Sequence, residues 1–346
     1  MNAKKDIRIE LLRSLACFAI VGYHSLCNIP GTYSAFIGYI CLYSNLIFLV
    51  ISGYFYLNRN DEYTYSYVCK KSLRYIRVIF IWSVINFIFD DILLFCSGKP
   101  IGGLYHFFNL FYQTMCVQSR LIHFWYLWAI IVVYHVSFLL VALCRHFRVK
   151  NYVFKCWLIL ATICALMQLW SYSIHKSIFV ENSIKNVLKV WTYAQYFFLG
   201  GCLPIFSNYI NKLFKSVALH ILVAIVSILA ITYYFTRTLP IFFGDLNFVK
   251  TYDSPLVIIL IIIITTLFYR LKPNNKHLES VISFISPLTF GIYIIHTFVI
   301  SCISNISPAT CYPRQSFFLW ILSFALSAVL VYFLKKIPIA KSAFSL

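Results

Sequence analysis

Long apolar runs recur along this chain, and nothing else in it constrains the fold as strongly. They fall at roughly 7–28, 35–57, 78–97, 124–144, 153–172, 191–206, 217–236, 255–271, 283–304 and 316–334. A run of about twenty apolar residues matches the hydrocarbon thickness of a bilayer, and a helix satisfies its own backbone there. The 346 residues are 61% hydrophobic and 11% charged, where soluble domains carry about 25% charged residues. The expectation is an all-α polytopic membrane protein with about ten transmembrane helices. The polar stretches are too short for a soluble domain, so residues 1–346 are expected to form a single membrane-embedded domain without a soluble appendage. The first run carries Arg8, Glu10 and Arg13 and lacks a small-residue cleavage motif, so it reads as a retained helix and not as a signal peptide.

The net charge is +19. If the chain starts in the cytoplasm, twenty cations fall in inner segments, eight in outer ones, and Arg13 lies within the first run. That bias puts both termini in the cytoplasm. The cations occupy short connections and form no basic face interleaved with aromatics, which excludes nucleic acid as a partner. The twelve cysteines show no C-x-x-C pair and no zinc spacing, so they read as small buried hydrophobes. Cys116 and Cys311 fall in expected outer loops and are the candidate pair. No internal repeat and no pair of Gly/Pro-broken helices of the transporter kind is present. The longest outer loops, 98–123, 173–190 and 237–254, are expected to cap a cavity.

The chemistry begins in "IELLRSLACFAIVGYHS". Arg13 and His24 are eleven residues apart, close to three helical turns, so they share a face about 16 Å apart along the axis. Ionisable groups inside a span face a cavity or a partner. An imidazole titrating near neutrality suits a general base, and a guanidinium suits an anion. The structural alternatives are an arginine that snorkels to the headgroups and a histidine that bonds between helices. His123 and His296 stand at a similar expected depth to His24, which points to a shared polar cavity. Asp90 and Asp91 fall in the same layer as possible orienters of a histidine. Glu10, three residues before Arg13, is placed to neutralise it. Lys70, Lys71, Arg74 and Arg77, in "KKSLRYIR", are either a topology signal at the headgroups or an anchor for phosphates. No histidine or acid pair has i, i+4 ligand spacing within a span, so no metal is expected. "LGGCL" at 199–203 reads as close helix packing.

These pieces resemble the integral-membrane acyltransferase family 3, the bacterial O-acyltransferases of polysaccharides and lipid-linked glycans. "IELLRSLACFAIVGYHS" resembles its opening helix, with arginine eleven residues before histidine. "NLIFLVISGYFY", with Ser52, Gly53 and Tyr54, resembles its second helix. "KKSLRYIR" resembles its R-x-x-R, here Arg74 and Arg77. "FWYLWAIIVVY" and "SPLTFGIYIIHTFVI", with Tyr293 and His296, are similar to its fourth and late helices. The resemblance implies ten spans and transfer of an acyl group, usually acetyl, from cytoplasmic acyl-CoA to a hydroxyl. It implies His24 as the essential histidine, Arg13 as its companion, and Arg74 and Arg77 at the donor.

The expected protein is therefore a bacterial inner-membrane O-acyltransferase using acetyl-CoA or another acyl-CoA and an envelope glycan or its lipid-linked precursor. His24 would act as base, and Tyr293, His296 or a loop amide would meet the oxyanion. An acyl-histidine relay is the mechanistic alternative. The alternative class is a flippase or permease for a glycan or acyl group.

Overall fold

The computed structural model describes residues 6–26, 32–59, 64–96, 98, 100, 103–116, 121–173, 189–238, 252–271, 273, 275–306, 313–338 and 343–344. The expected Cys116–Cys311 pair and most of the loops 173–190 and 237–254 lie outside the described side chains. Among the described residues the regular structure is helical, with no strand. The helices are α1 (Ile7–Leu26), α2 (Thr32–Leu42), α3 (Ser44–Leu57), α4 (Tyr65–Cys96), α5 (Gly103–Cys116), α6 (Trp125–His146) and α7 (Tyr152–Ser173). They continue as α8 (Val190–Leu213), α9 (Val217–Tyr233), α10 (Pro255–Arg270), α11 (Lys276–Ile285), α12 (Thr289–Ile306) and α13 (Pro313–Leu334).

Eight stretches among the described residues are long and apolar enough to cross a membrane. Of the ten expected spans, the other two are the 16-residue α10 and the 24-residue α8. α8 is less apolar because it is a central helix. It buries Thr192, Gln195 and Ser207 with its aromatic residues against neighbouring helices instead of turning them to lipid. Helices at the rim do the opposite. Phe95, Leu139, Ile159, Leu222 and Phe318 stand exposed, as a lipid-facing surface requires.

Two expected boundaries are corrected. The second span stands, as Phe36–Leu57, with a turn at Tyr43, whose carbonyl accepts from Leu46 N and Ile47 N at the start of α3. The third span begins at Tyr65 and not at 78, because no Gly or Pro interrupts 65–96 and the helix runs through the cationic cluster. The ninth is two helices. Asn275 caps α11, accepting from His277 N at 2.9 Å and Leu278 N at 3.3 Å. A 3₁₀ turn over Ser286–Leu288, with Pro287 inside it, then redirects the chain into α12. The loop 98–123 holds α5 and a further 3₁₀ turn at Ile122–Phe124.

The tightest contact joins α3 to α8, as "LGGCL" leads one to expect. A Cβ at Gly53 would stand 1.8 Å from the Phe197 carbonyl oxygen, and one at Gly200 would stand 2.0 Å from the Val50 carbonyl oxygen. The two helices run in the same direction, since Gly53 meets Phe197 while Leu57 meets Gly201. At the far end of α8, Arg270 donates to the Phe214 carbonyl at 2.6 Å and the Lys215 carbonyl at 3.2 Å, satisfying carbonyls that the helix end leaves open. Arg270→Met is expected to cost about 2 kcal/mol. A lower melting temperature in detergent would record it, and an unchanged one would show that solvent replaces these bonds.

Candidate active site

α1 carries the first part of the site. Arg13 donates to Glu10 at 3.1 Å one turn below it, and its guanidinium lies 5.4 Å from the centre of the Phe55 ring on α3. Glu10 is buried and also accepts from the Ser286 hydroxyl, while its backbone carbonyl accepts from Ser14 at 2.9 Å. Arg13 therefore does not snorkel into headgroups. It is held by a buried carboxylate and faces an internal cavity.

That cavity measures about 520 Å³. Its lining includes Glu10, Arg13, Lys71 and Lys335, several tyrosines and Phe344. Three cations against one carboxylate make the chamber an anion acceptor. The cavity has length as well as charge. Phe55 lies beneath Arg13, and Phe48, seven residues earlier on α3, lies 6.4 Å from Tyr293. Seven residues of helix span about 10 Å. The chamber thus runs from a cationic end at Arg13 to an aromatic end at Phe48, Tyr126 and Tyr293.

At the aromatic end three imidazoles meet. His24 lies 5.1 Å from His296 and 6.1 Å from His123, and His123 lies 4.9 Å from His296, ring centre to ring centre. Their hydrogen bonds distinguish them. His123 pairs Nε2 with the Ile294 carbonyl at 3.1 Å and Nδ1 with the Thr297 hydroxyl at 3.4 Å, so Nε2 carries the proton and Nδ1 accepts. The His296 Nδ1 faces the Tyr293 carbonyl at 2.7 Å and the Ile292 carbonyl at 3.2 Å, so it is the donor. That leaves the His296 Nε2 lone pair buried and without a hydrogen-bond partner. Tyr293 lies 5.2 Å from the His123 ring and donates its hydroxyl to the His123 carbonyl. His123 is thus fixed on every side, and Tyr293 ties α12 to the start of α6.

His24, His123, His296 and Tyr293 are therefore brought together, and Arg13 and Lys71 share the adjoining chamber. Lys70, Arg74 and Arg77 are exposed and do not line it. Arg13, Arg59 and Arg74 nonetheless stand within electrostatic range of Lys71. Asp90 and Asp91 are half-buried on α4 and do not line the chamber. Sequence reasoning missed Lys335, which counted there only as a topology signal, and Thr297, whose one clue is a hydroxyl beside a histidine in an apolar run. Among the described residues no group of His, Cys, Asp and Glu is arranged to hold a metal ion. The bonds just described turn three of the four His123 and His296 nitrogens toward protein groups.

Fold and site together define a multi-pass membrane protein with an anion-accepting chamber whose wall, at Tyr293, backs onto a cluster of histidines. A family model described as an acyltransferase domain, that of acyltransferase family 3, matches residues 6–336. The chain belongs to this family of membrane acyltransferases. A comparison with curated proteins and one with solved structures each returned no match.

Proposed function

We propose that the protein moves an acyl group, acetyl in the first instance, from cytoplasmic acyl-CoA to a hydroxyl of an envelope glycan in the bacterial inner membrane. The observation that supports this is the chamber lined by Arg13, Lys71 and Lys335, whose wall residue Tyr293 lies 5.2 Å from the His123 ring and 5.9 Å from the His296 ring. Guanidinium and ammonium groups suit the phosphates of the donor, and the extended arm of such a donor reaches a base some 10 Å or more away.

His24 takes the proton of the acceptor hydroxyl, whose oxygen attacks the thioester carbonyl. The C–O bond forms, the C–S bond breaks, and the proton passes to the leaving thiolate. His296 supports this role from 5.1 Å. Its buried, unpartnered Nε2 lone pair faces the developing imidazolium from across that gap, as a base–orienter pair requires. The Tyr293 hydroxyl is spent on the His123 carbonyl, so its role is positioning. The oxyanion falls to Tyr126, whose hydroxyl pairs with Ser52 at the same end of the chamber.

Purified protein given acetyl-labelled acetyl-CoA tests the reading directly, because release or transfer of the label separates bond chemistry from transport. Lys71→Ala is expected to raise the KM for acetyl-CoA about ten-fold with a smaller change in kcat. Arg77→Ala, on the exposed face, is expected to raise it less. The opposite order would place the donor phosphates on the outer face of α4.

A further inference from the structure

A second polar cluster lies across the imidazole layer from the cationic end, and the chemistry above does not use it. Asn45 opens α3 ten residues before Phe55, so the cluster is about 15 Å along the helix from the Arg13 end. Asn45 Nδ2 donates to the Tyr252 hydroxyl at 3.5 Å, which donates to the Leu42 carbonyl at 3.4 Å. The Tyr252 carbonyl accepts from the Tyr196 hydroxyl at 2.6 Å and from Gln195 Nε2 at 3.5 Å. Four polar atoms of uncharged side chains beside this network, close to the Asp253 carboxylate, have no hydrogen-bond partner: Gln195 Oε1 and the hydroxyls of Tyr43, Thr192 and Tyr193. Their residues are 0%, 2%, 1% and 0% exposed. Buried polar groups are otherwise almost always paired, and an orphaned one destabilises the fold. Four of them around one network give a polar ligand four groups to satisfy.

The cluster connects to the reacting centre through two aromatic residues. Trp125, two residues after His123 and half-buried, lies 5.5 Å from the Tyr193 ring. Phe48, one turn after Asn45, lies 6.4 Å from Tyr293. None of the clustered residues is cationic, so this end does not suit phosphates.

Resting on the acyl-transfer reading, we propose that this cluster is the acceptor site, recognising a polyhydroxylated ring. Amides and phenols that both donate and accept match neighbouring sugar hydroxyls, and the Trp125 and Tyr193 faces match the apolar face of a sugar ring. A simple fatty alcohol would leave the orphaned groups unpaired. The acceptor hydroxyl then meets His24 from the side opposite the thioester.

Tyr43→Phe, Tyr193→Phe and Gln195→Met each remove one orphaned group at nearly constant volume. If the groups serve only the fold, melting temperature is unchanged or raised and transfer is intact. If they bind acceptor, melting temperature and acetyl-CoA binding hold while transfer falls. The probe is the host's own surface polysaccharide, stripped of esters by mild alkali, with labelled acetyl-CoA. We expect the KM for that polysaccharide to rise on the order of ten-fold in each variant. Full transfer by all three variants overturns the assignment alone, and so does acetyl-CoA binding lost in parallel. Wild-type protein that transfers no label overturns the acyl-CoA reading and this site with it.

Discussion

Replacing His24 with alanine is expected to lower acyl transfer by about 10²–10⁴-fold at unchanged protein abundance. The His24 ring lies 5.1 Å from that of His296, whose Nε2 lone pair is buried and unpartnered. Neither neighbour substitutes for it. His123 has both ring nitrogens engaged, and His296 spends Nδ1 on backbone carbonyls. The readout is ester-linked acetyl on surface polysaccharide by NMR, with protein level followed by blot. His24→Ala cells that still carry the ester would make His24 structural and move the base to His296. Cells whose glycan export changes while its esters stay the same would favour the transport reading instead.

Gly200→Ala is expected to disrupt folding, with a destabilisation of about 3 kcal/mol or more. The added methyl would lie 2.0 Å from the Val50 carbonyl oxygen and 2.6 Å from the Tyr54 backbone nitrogen. Backbone cannot rotate aside as a side-chain tip can, so α3 and α8 would have to separate. The same contact holds Ser52, Phe55 and Tyr56 against the chamber, so residual folded protein is expected to lose activity as well. Gly53→Ala should behave alike, since its Cβ would meet the Phe197 backbone. Gly38→Ala is the control, because nothing lies within 4 Å of the position a Cβ would take. Yield of monodisperse protein in detergent and its melting temperature measure the difference. Equal behaviour of Gly200→Ala and Gly38→Ala would show that α3 and α8 are not packed backbone to backbone.

Much of the architecture was legible because the bilayer leaves few choices. A long apolar run must close its own hydrogen bonds, so existence and type of each long helix follow from hydropathy. The pairing of Glu10 with Arg13 was legible for the same local reason, since residues three apart share a helix face. The convergence of His24, His123 and His296 was legible only as a common depth. Their tautomers depend on carbonyls of α12 and the hydroxyl of Thr297, which no local pattern displays. The cationic cluster was legible as a cluster but not in the direction each cation faces. Spacing puts Arg74 and Arg77 side by side, yet the packing of α4 turns them outward and brings Lys71 inward. Lys335, near the opposite end of the chain from Arg13, lines the same chamber.

Membrane residence, helical class and the shared face of Arg13 and His24 follow from the sequence by itself. Each depends on hydrophobic content and helical period, which are properties of short stretches. The tertiary structure decided which cations enter the chamber, which imidazole keeps a free lone pair, and where unpaired hydroxyls and amides gather. Those are properties of contacts between residues as much as 300 positions apart, as with Trp320 donating to the Phe18 carbonyl 302 residues away. Distant contacts of this kind are set by the packing of helix against helix, and the periodicity within any one helix carries no record of them.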